Sequence, residues 1–105
     1  MEEIEITEIS ILDSGELRIT PIVNWNDLFQ FIYRTATGVV WSDSSKSFMS
    51  PAPRERSSFD WYKNIVGSVV SEMGVLLTIT PDTKWHNVPR ELQQEMEGYV
   101  PGSNT

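Results

Sequence analysis

Residues 57–80, which read SSFDWYKNIVGSVVSEMG and then VLLTIT, constrain the fold more than any other stretch of this chain. Apolar side chains in the first part recur at the three-and-four spacing of one helical face, namely Tyr62, Ile65, Val66, Val69, Val70 and Met73. Ser57 or Ser58 can cap the start of this helix, and Gly74 stands where a left-handed residue commonly ends one. The β-branched segment that follows has no polar residue before Thr78, which is typical of a strand in the middle of a sheet. The stretch predicts one long helix packed on a sheet, followed by a central strand.

The N-terminal part of the chain reads as a β-hairpin. Residues 4–12 alternate apolar and polar side chains, but the phase slips near Thr7 and Glu8, where a bulge would restore the register. Residues 13–16 have the composition of a turn, and residues 17–20 resume the alternation. We therefore expect two antiparallel strands joined by a tight turn.

The middle of the chain reads as a meander of short strands. Residues 28–35 (LFQFIYRT) fit both an amphipathic strand and a short helix, and we favour a strand because of their aromatic content. Further strands are predicted at residues 39–41 and 47–50, separated by a turn at residues 43–45. With the hairpin, these elements predict an α+β fold with an antiparallel sheet of about five strands.

The C-terminal part predicts a second, short helix. This helix covers residues 88–97, where Pro89 suits the first turn and Gly98 ends the pattern. A chain of 105 residues is the usual length of one domain. We expect residues 1–98 to form this domain and residues 99–105 to be a flexible tail.

Composition excludes several classes of function. There is no cysteine, and so no thiol nucleophile, disulfide framework or cysteine-based zinc site. The net charge of −7 argues against nucleic-acid binding, which needs a basic surface. No apolar run approaches the roughly 18 residues of a membrane span, and the N-terminus has no signal-peptide pattern. We therefore expect a soluble, cytoplasmic protein with no membrane or nucleic-acid partner.

No catalytic or metal-binding motif stands out from the sequence. His86 is the single histidine, and no serine or carboxylate stands at a spacing that would make it a general base. Glu91 and Glu95 share one face of the predicted helix, but such pairs are usually solvated rather than bound to metal. We expect no cofactor and no metal, and we favour a non-enzymatic protein. An enzyme using His86 or buried carboxylates is the less favoured alternative.

One segment has residue types that suit binding. Residues 34–63 carry five basic against three acidic residues and are the only positive part of the chain. They combine arginine donors with aromatic rings, as ligand sites and protein interfaces often do. The predicted ligand-binding residues are Arg34, Trp41, Arg54, Arg56, Trp61 and Tyr62. In the alternative interpretation, Trp41 and Tyr62 belong to the core, and Arg54 and Arg56 pair with nearby acids.

Four passages of the sequence point to a family. They read ISILDSGEL, FIYR-x-A-x-GVVW, SP-x-PRE-x-S-x(2)-DWYK and ITPDTKW-x-NVP. With these passages the chain resembles, over residues 9–96, a family of small uncharacterised proteins carried on mobile integron gene cassettes. The resemblance implies an α+β fold, a bacterial origin and homo-oligomerisation. It implies no established activity, and so no catalytic residue is carried over.

Two functions are expected from these observations. The first is a non-enzymatic homo-oligomer that binds a small, anionic ligand at or near a subunit interface, which the arginine and tryptophan residues suggest. The alternative is an acidic partner-binding protein of the antitoxin or immunity type, because an acidic surface can mask a basic site on a toxic enzyme.

Overall fold

The structure, a computed structural model, describes residues 2–22, 27–52 and 56–101. Within these residues the predicted α+β class is confirmed, with a six-stranded sheet and three helical elements. The strands are β1 (Glu2–Ile11), β2 (Leu17–Pro21), β3 (Val40–Ser42), β4 (Ser47–Met49), β5 (Val75–Thr78) and β6 (Lys84–His86). The helical elements are a 3₁₀ helix (Asp27–Arg34), α1 (Ser58–Met73) and α2 (Arg90–Glu97).

The sheet is mixed, and so the prediction of an antiparallel sheet is wrong in part. The strand order is β3-β4-β2-β1-β5, and β6 also pairs with β1. The pairs β1–β2, β2–β4 and β3–β4 are antiparallel, whereas β1 pairs in parallel with both β5 and β6. The parallel pairing with β5 arises because α1 carries the chain from β4 back across the sheet, so that β5 enters in the direction of β4 and β1.

The N-terminal hairpin and its bulge are confirmed. The register between β1 and β2 shifts between Ile6 and Glu8, which places the bulge at Thr7. The Thr7 hydroxyl donates a hydrogen bond to the carbonyl oxygen of Thr20 at 3.0 Å. Ile6 and Ile9 are both fully buried, although three-residue spacing in a regular strand would place them on opposite faces.

The strand predicted at residues 28–35 is wrong, because this segment forms the 3₁₀ helix. Side chains three residues apart lie on the same face of such a helix, and Phe29 and Ile32 are accordingly buried. Leu28 and Tyr33 remain about half exposed. Alternation of aromatic and polar residues was therefore a misleading signal over so short a segment.

α1 begins and ends where the sequence predicted. The Ser57 hydroxyl accepts a hydrogen bond from the backbone N–H of Asp60 at 3.1 Å, and Gly74 adopts a left-handed φ of 65°. At 16 residues, α1 is a short rather than a long helix. Its buried apolar face consists of Tyr62, Ile65, Val66 and Val69, with Trp61 at its margin.

The strand after α1 is not the central strand of the sheet. β5 stands at the end of the strand order, and it pairs only with β1 among the described strands. Burial alternates along β5: Val75 and Leu77 are buried, while Leu76 and Thr78 are half-buried. The apolar run after α1 therefore forms an edge strand, one face of which is only partly covered.

The C-terminal part contains an element that the sequence pattern did not predict. β6 pairs with residues 8–10 of β1, and its Lys84 and His86 are exposed. Three residues with two exposed charged or polar side chains carry too little periodicity to indicate a strand. The predicted second helix is confirmed as α2, which begins two residues later than predicted, with Pro89 as its N-cap rather than in its first turn, and ends at Gly98 as predicted.

Candidate functional site

The residues predicted to bind a ligand do not form one site. Arg34 ends the 3₁₀ helix, where it shares a small groove with Glu72 of α1 and stacks on Phe31 at 4.4 Å. Trp61 lies near the start of α1. Because an α-helix rises 1.5 Å per residue, Trp61 and Glu72 are about 16 Å apart along the axis. Arg34 and Trp61 are thus associated with opposite ends of the helix.

Trp41 packs with the core and stabilises a turn. Its ring centre lies 5.1 Å from that of Phe29 and 4.9 Å from that of Phe48, in tilted and edge-on geometries. Its indole N–H donates a hydrogen bond to the carboxylate of Asp43 at 3.1 Å. These contacts favour the alternative interpretation of Trp41 as a structural residue.

Arg56 and Trp61 contact each other in a covered corner at the start of α1. The guanidinium carbon of Arg56 lies 5.1 Å from the centre of the Trp61 ring. Trp61 is 9% exposed, and its indole N–H has no hydrogen-bond partner in the part of the chain that the structure describes. The backbone of Gly38 lies close to this ring, since a Cβ placed there would be 3.7 Å from it. Arg54 lies outside the described residues.

Tyr62 faces a different side of α1 from Trp61. Successive residues of an α-helix are about 100° apart around its axis, and so neighbouring side chains diverge. The Tyr62 ring stacks on Phe59, with centres 6.5 Å apart, and meets Tyr99 edge-on at 6.2 Å. Tyr99 also meets Phe59 edge-on at 6.1 Å. The segment predicted as a tail thus begins with a ring packed on α1, and residues 102–105 lie outside the described residues.

A concave space opens on this Tyr62 side. We call it the C-terminal cleft, and it lies between β5, the end of α2 and residues 99–101, with a volume of about 280 Å³. Its apolar walls are formed by Leu76, Leu77, Ile79, Met96, Tyr99 and Val100. The ends of two helices shape this cleft. Gly74 ends α1 and leads directly into β5, and Gly98 ends α2, after which Tyr99 packs back onto α1.

The polar groups of the C-terminal cleft are acidic or phenolic. Glu3 and Glu97 line it, whereas no lysine or arginine does so among the described residues. Tyr62 is 2% exposed, and its hydroxyl makes no hydrogen bond within the described part of the chain. Burial, with a smaller contribution from the nearby Tyr99, raises the pKa of Tyr62 above its ordinary value. The hydroxyl therefore stays protonated at neutral pH and available as a donor.

The other residues considered for chemistry lie on the surface. His86 is exposed on β6, and Glu91 and Glu95 are exposed on α2. Across residues 2–22, 27–52 and 56–101, no three His, Asp or Glu side chains are grouped closely enough to hold a metal ion. Over the same ranges, no helix has the length and apolar character needed to cross a bilayer.

Sequence reasoning identified Tyr62 but missed the rest of the C-terminal cleft. Met96 was predicted only as part of the second helix, and Tyr99 as part of the tail. The available signal was an aromatic residue placed directly after the helix-ending Gly98, where it can fold back on the preceding structure. Which surface it would meet depends on residues far away in the sequence.

Comparison with known proteins establishes the family. The family model described as Integron Cassette Protein Hfx_Cass5 matches residues 4–83, which is most of the chain. The chain belongs to the Hfx_Cass5 family. The resemblance to integron cassette proteins is therefore confirmed. No curated protein matches the chain.

A solved structure of an Hfx_Cass5 protein is similar to this chain. It is described as a structure from the mobile metagenome of North West Arm Sewage Outfall, and the two sequences are 38% identical. The match covers 92% of this chain and 94% of the other, with a TM-score of 0.44. The Hfx_Cass5 family model ends at residue 83, and so it includes β5 but not the α2 wall of the C-terminal cleft.

Proposed function

We propose that the chain is a non-enzymatic binding protein whose ligand occupies the C-terminal cleft. The observation that carries the proposal is Tyr62, a nearly fully buried residue that lines the cleft and whose hydroxyl has no hydrogen-bond partner among the described residues. Because this hydroxyl is not bonded to another described residue, it can donate a hydrogen bond to an acceptor group of a ligand. Apolar walls with a few polar groups are also typical of ligand sites.

The residue types of the cleft support binding rather than catalysis. Its lining contains no histidine or serine among the described residues, and its two carboxylates belong to the exposed residues Glu3 and Glu97. A general acid or base usually has a pKa tuned by burial or by a charged partner. The raised pKa of Tyr62 keeps its phenol protonated, which makes Tyr62 unsuited to act as a general base.

The charge of the cleft changes the ligand class that we expected from the sequence. Glu3 and Glu97 would repel an anion, and so the ligand that we propose is neutral or positively charged. Homo-oligomerisation stays a prediction of the family resemblance, and sedimentation velocity will test it. A ligand site at or near a subunit interface stays a prediction from the arginine and tryptophan residues.

An acidic partner-binding protein of the antitoxin or immunity type is a second candidate function. The net charge of −7 and the edge position of β5 favour it, because an edge strand offers unpaired backbone groups to another chain. Co-purification from a native host would then recover a basic partner at fixed stoichiometry. Recovery of this chain alone, at low and at high salt, would exclude this candidate.

A screen by nuclear magnetic resonance tests the first candidate. Small molecules and short peptides would be added to the ¹⁵N-labelled protein, and we expect hits to shift the backbone amides of residues 76–79 and 99–100. Leu76→Trp and Val100→Trp fill the cleft from two walls and should abolish these shifts. The control is Val40→Trp, which adds the same ring at an exposed position on β3.

The melting temperatures of the three variants show whether each one folds. Because Val100 is exposed, its replacement leaves the core intact even if the change at Leu76 does not. Binding that survives in both cleft variants, or hits that shift only residues outside the cleft, would contradict the proposed function.

A further inference from the structure

We propose that the ligand of the C-terminal cleft is an extended, basic peptide segment of a partner protein, which pairs its backbone with the free edge of β5. This inference rests on the proposed function and names the class of its ligand. It is carried by the unpaired edge of β5, the course of the cleft along that edge, and the charge of the cleft.

The first observation is that β5 has one edge without a partner. β5 pairs in parallel with Glu2–Glu5 of β1, in the register Glu2 to Val75 and Glu5 to Thr78. Apart from this ladder, residues 75–79 make no backbone hydrogen bond in the part of the chain that the structure describes. Every second residue of a strand directs its N–H and C=O groups away from a given neighbour, so these groups are free on the outer edge.

β5 also lacks three of the features that protect edge strands from pairing. Edge strands commonly carry lysine, proline or a bulge that prevents pairing with another chain. The four residues of β5 read Val-Leu-Leu-Thr and contain none of these. The strand is therefore able to accept another strand.

The second observation is the course of the cleft. Four consecutive residues, 76–79, line it. Successive side chains of a strand point to opposite faces of the sheet, and so a space that touches all four reaches both sides of β5 and passes its outer edge. Glu3 of β1, the ladder partner of Leu76, borders it on one face. At about 3.3 Å per residue, this edge is roughly 13 Å long, the length of a short extended segment.

The outer wall of the cleft limits what can enter it. Residues 99–101 lie opposite β5, and Tyr99 is held by its contacts with Phe59 and Tyr62. The volume of about 280 Å³ suits one slender chain. A single added strand would place alternate side chains against the cleft walls, as in other cases of strand addition.

The third observation is charge. Glu3 and Glu97 are the ionisable carboxylates of the lining, and no basic side chain accompanies them among the described residues. The whole chain carries a net charge of −7. Both favour a lysine- or arginine-bearing segment, and both disfavour a second copy, which would bring the same acids to the interface.

Selection of peptides provides the ligand for the test. A phage-displayed library of random peptides, each about a dozen residues long, would be panned against the wild-type protein and, in parallel, against Leu76→Trp or Val100→Trp. We expect wild-type panning alone to enrich peptides with basic residues at alternating positions. Enrichment without basic residues, or equal enrichment on the cleft variants, would overturn the inference.

Backbone pairing is then tested with N-methylated versions of the best selected peptide. One version is methylated at the odd positions and the other at the even positions, so both lose the same number of N–H groups. Only the version that loses the N–H groups facing β5 should bind at least about tenfold more weakly. Equal effects of the two versions would contradict strand addition.

The charge argument has its own matched control. The double variant Glu3→Gln, Glu97→Gln should weaken binding about three- to tenfold and reduce its dependence on salt. Glu91→Gln, Glu95→Gln makes the same change of charge at exposed positions of α2 outside the cleft and should have little effect. Equal effects of the two double variants would show that the carboxylates of the cleft are not what favours binding of basic peptides.

The failure of this inference can be distinguished from failure of the proposed function. If small molecules bind in the cleft but no peptide does, the function stands and the peptide class is wrong. If neither binds there, both are wrong. A dimer that Leu76→Trp dissociates in sedimentation velocity would identify a second copy as the occupant of the β5 edge and overturn the inference.

Discussion

Trp61 and Tyr62 are adjacent in the sequence, but their surroundings differ in kind. Trp61 lies in a closed corner, where Arg56 covers its ring and Gly38 approaches it from the loop before β3. Tyr62 lies beside the C-terminal cleft, where a space of about 280 Å³ separates β5 from residues 99–101. Both are nearly fully buried, but the indole N–H of Trp61 has neither solvent access nor a hydrogen-bond partner among the described residues, whereas Tyr62 borders the open cleft.

The Trp61 side and the Tyr62 side of α1 differ in how closely the neighbouring elements pack against them. On the Trp61 side, the chain packs closely enough that the indole nitrogen has no access to solvent. On the Tyr62 side, β5 is an edge strand, so the sheet ends and leaves a space that α2 and Tyr99 only partly fill. Aromatic residues and arginines therefore marked a packed corner, whereas the binding site that we propose depends on where the sheet ends.

The largest effect is expected from Trp61→Ala. Removing a large buried ring from a closed corner should lower the free energy of unfolding by about 3–5 kcal/mol, which urea denaturation will measure. Val40→Ala, at an exposed position on β3, is the control and should change it little. A small loss of stability accompanied by loss of ligand binding would show that the Trp61 side is a site and not a packed corner.

Gly38→Ala tests how closely the Trp61 side is packed. Gly38 has a φ of 91°, and an added Cβ would lie 3.2 Å from Cγ of Pro51 and 3.7 Å from the Trp61 ring. Backbone strain and crowding should cost about 1–3 kcal/mol in urea denaturation. Gly67→Ala is the matched control, since a Cβ there meets nothing within 4 Å and a helical alanine gains up to about 1 kcal/mol. Similar effects of the two substitutions would mean that the corner is open.

Tyr62→Phe should change the stability of the free protein only at high pH. The pKa of Tyr62 is raised in the folded state by burial, so its contribution to stability is complete below about pH 10, the ordinary pKa of tyrosine. Above this pH the unfolded chain loses the proton first, and the wild type should lose about 1.4 kcal/mol relative to Tyr62→Phe by pH 11. Urea denaturation of both proteins between neutral and alkaline pH measures the difference. Parallel stability curves would show that Tyr62 is solvated.

Elements with local signals were predictable from the sequence. Ser57 and Gly74 cap α1 through contacts within a few residues, and the phase slip at Thr7 directly indicates a bulge. The 3₁₀ helix was mistaken for a strand because a short amphipathic segment satisfies both patterns, and burial of Phe29 and Ile32 decides between them.

Features that depend on distant pairing were not predictable. An apolar run such as VLLTIT does not reveal whether one or two strands flank it, and β5 proved to have only β1 beside it in the described part of the chain. The same is true of the site. Tyr62 was predicted as a binding residue, but its grouping with Met96 and Tyr99 depends on how α2 packs after β6. Residue type suggested candidates, and the fold separated Arg34, Trp41 and Trp61 from Tyr62.

The central claim is that ligand binds on the Tyr62 side of α1 and not on the Trp61 side. A ¹H–¹⁵N titration with the best selected peptide, or with the best small-molecule hit, reports both sides in one spectrum. We predict that the amides of residues 76–79 and 99–100 will shift, while the indole N–H signal of Trp61 stays in place. A shift of the Trp61 indole signal, with the β5 amides unchanged, would contradict the account.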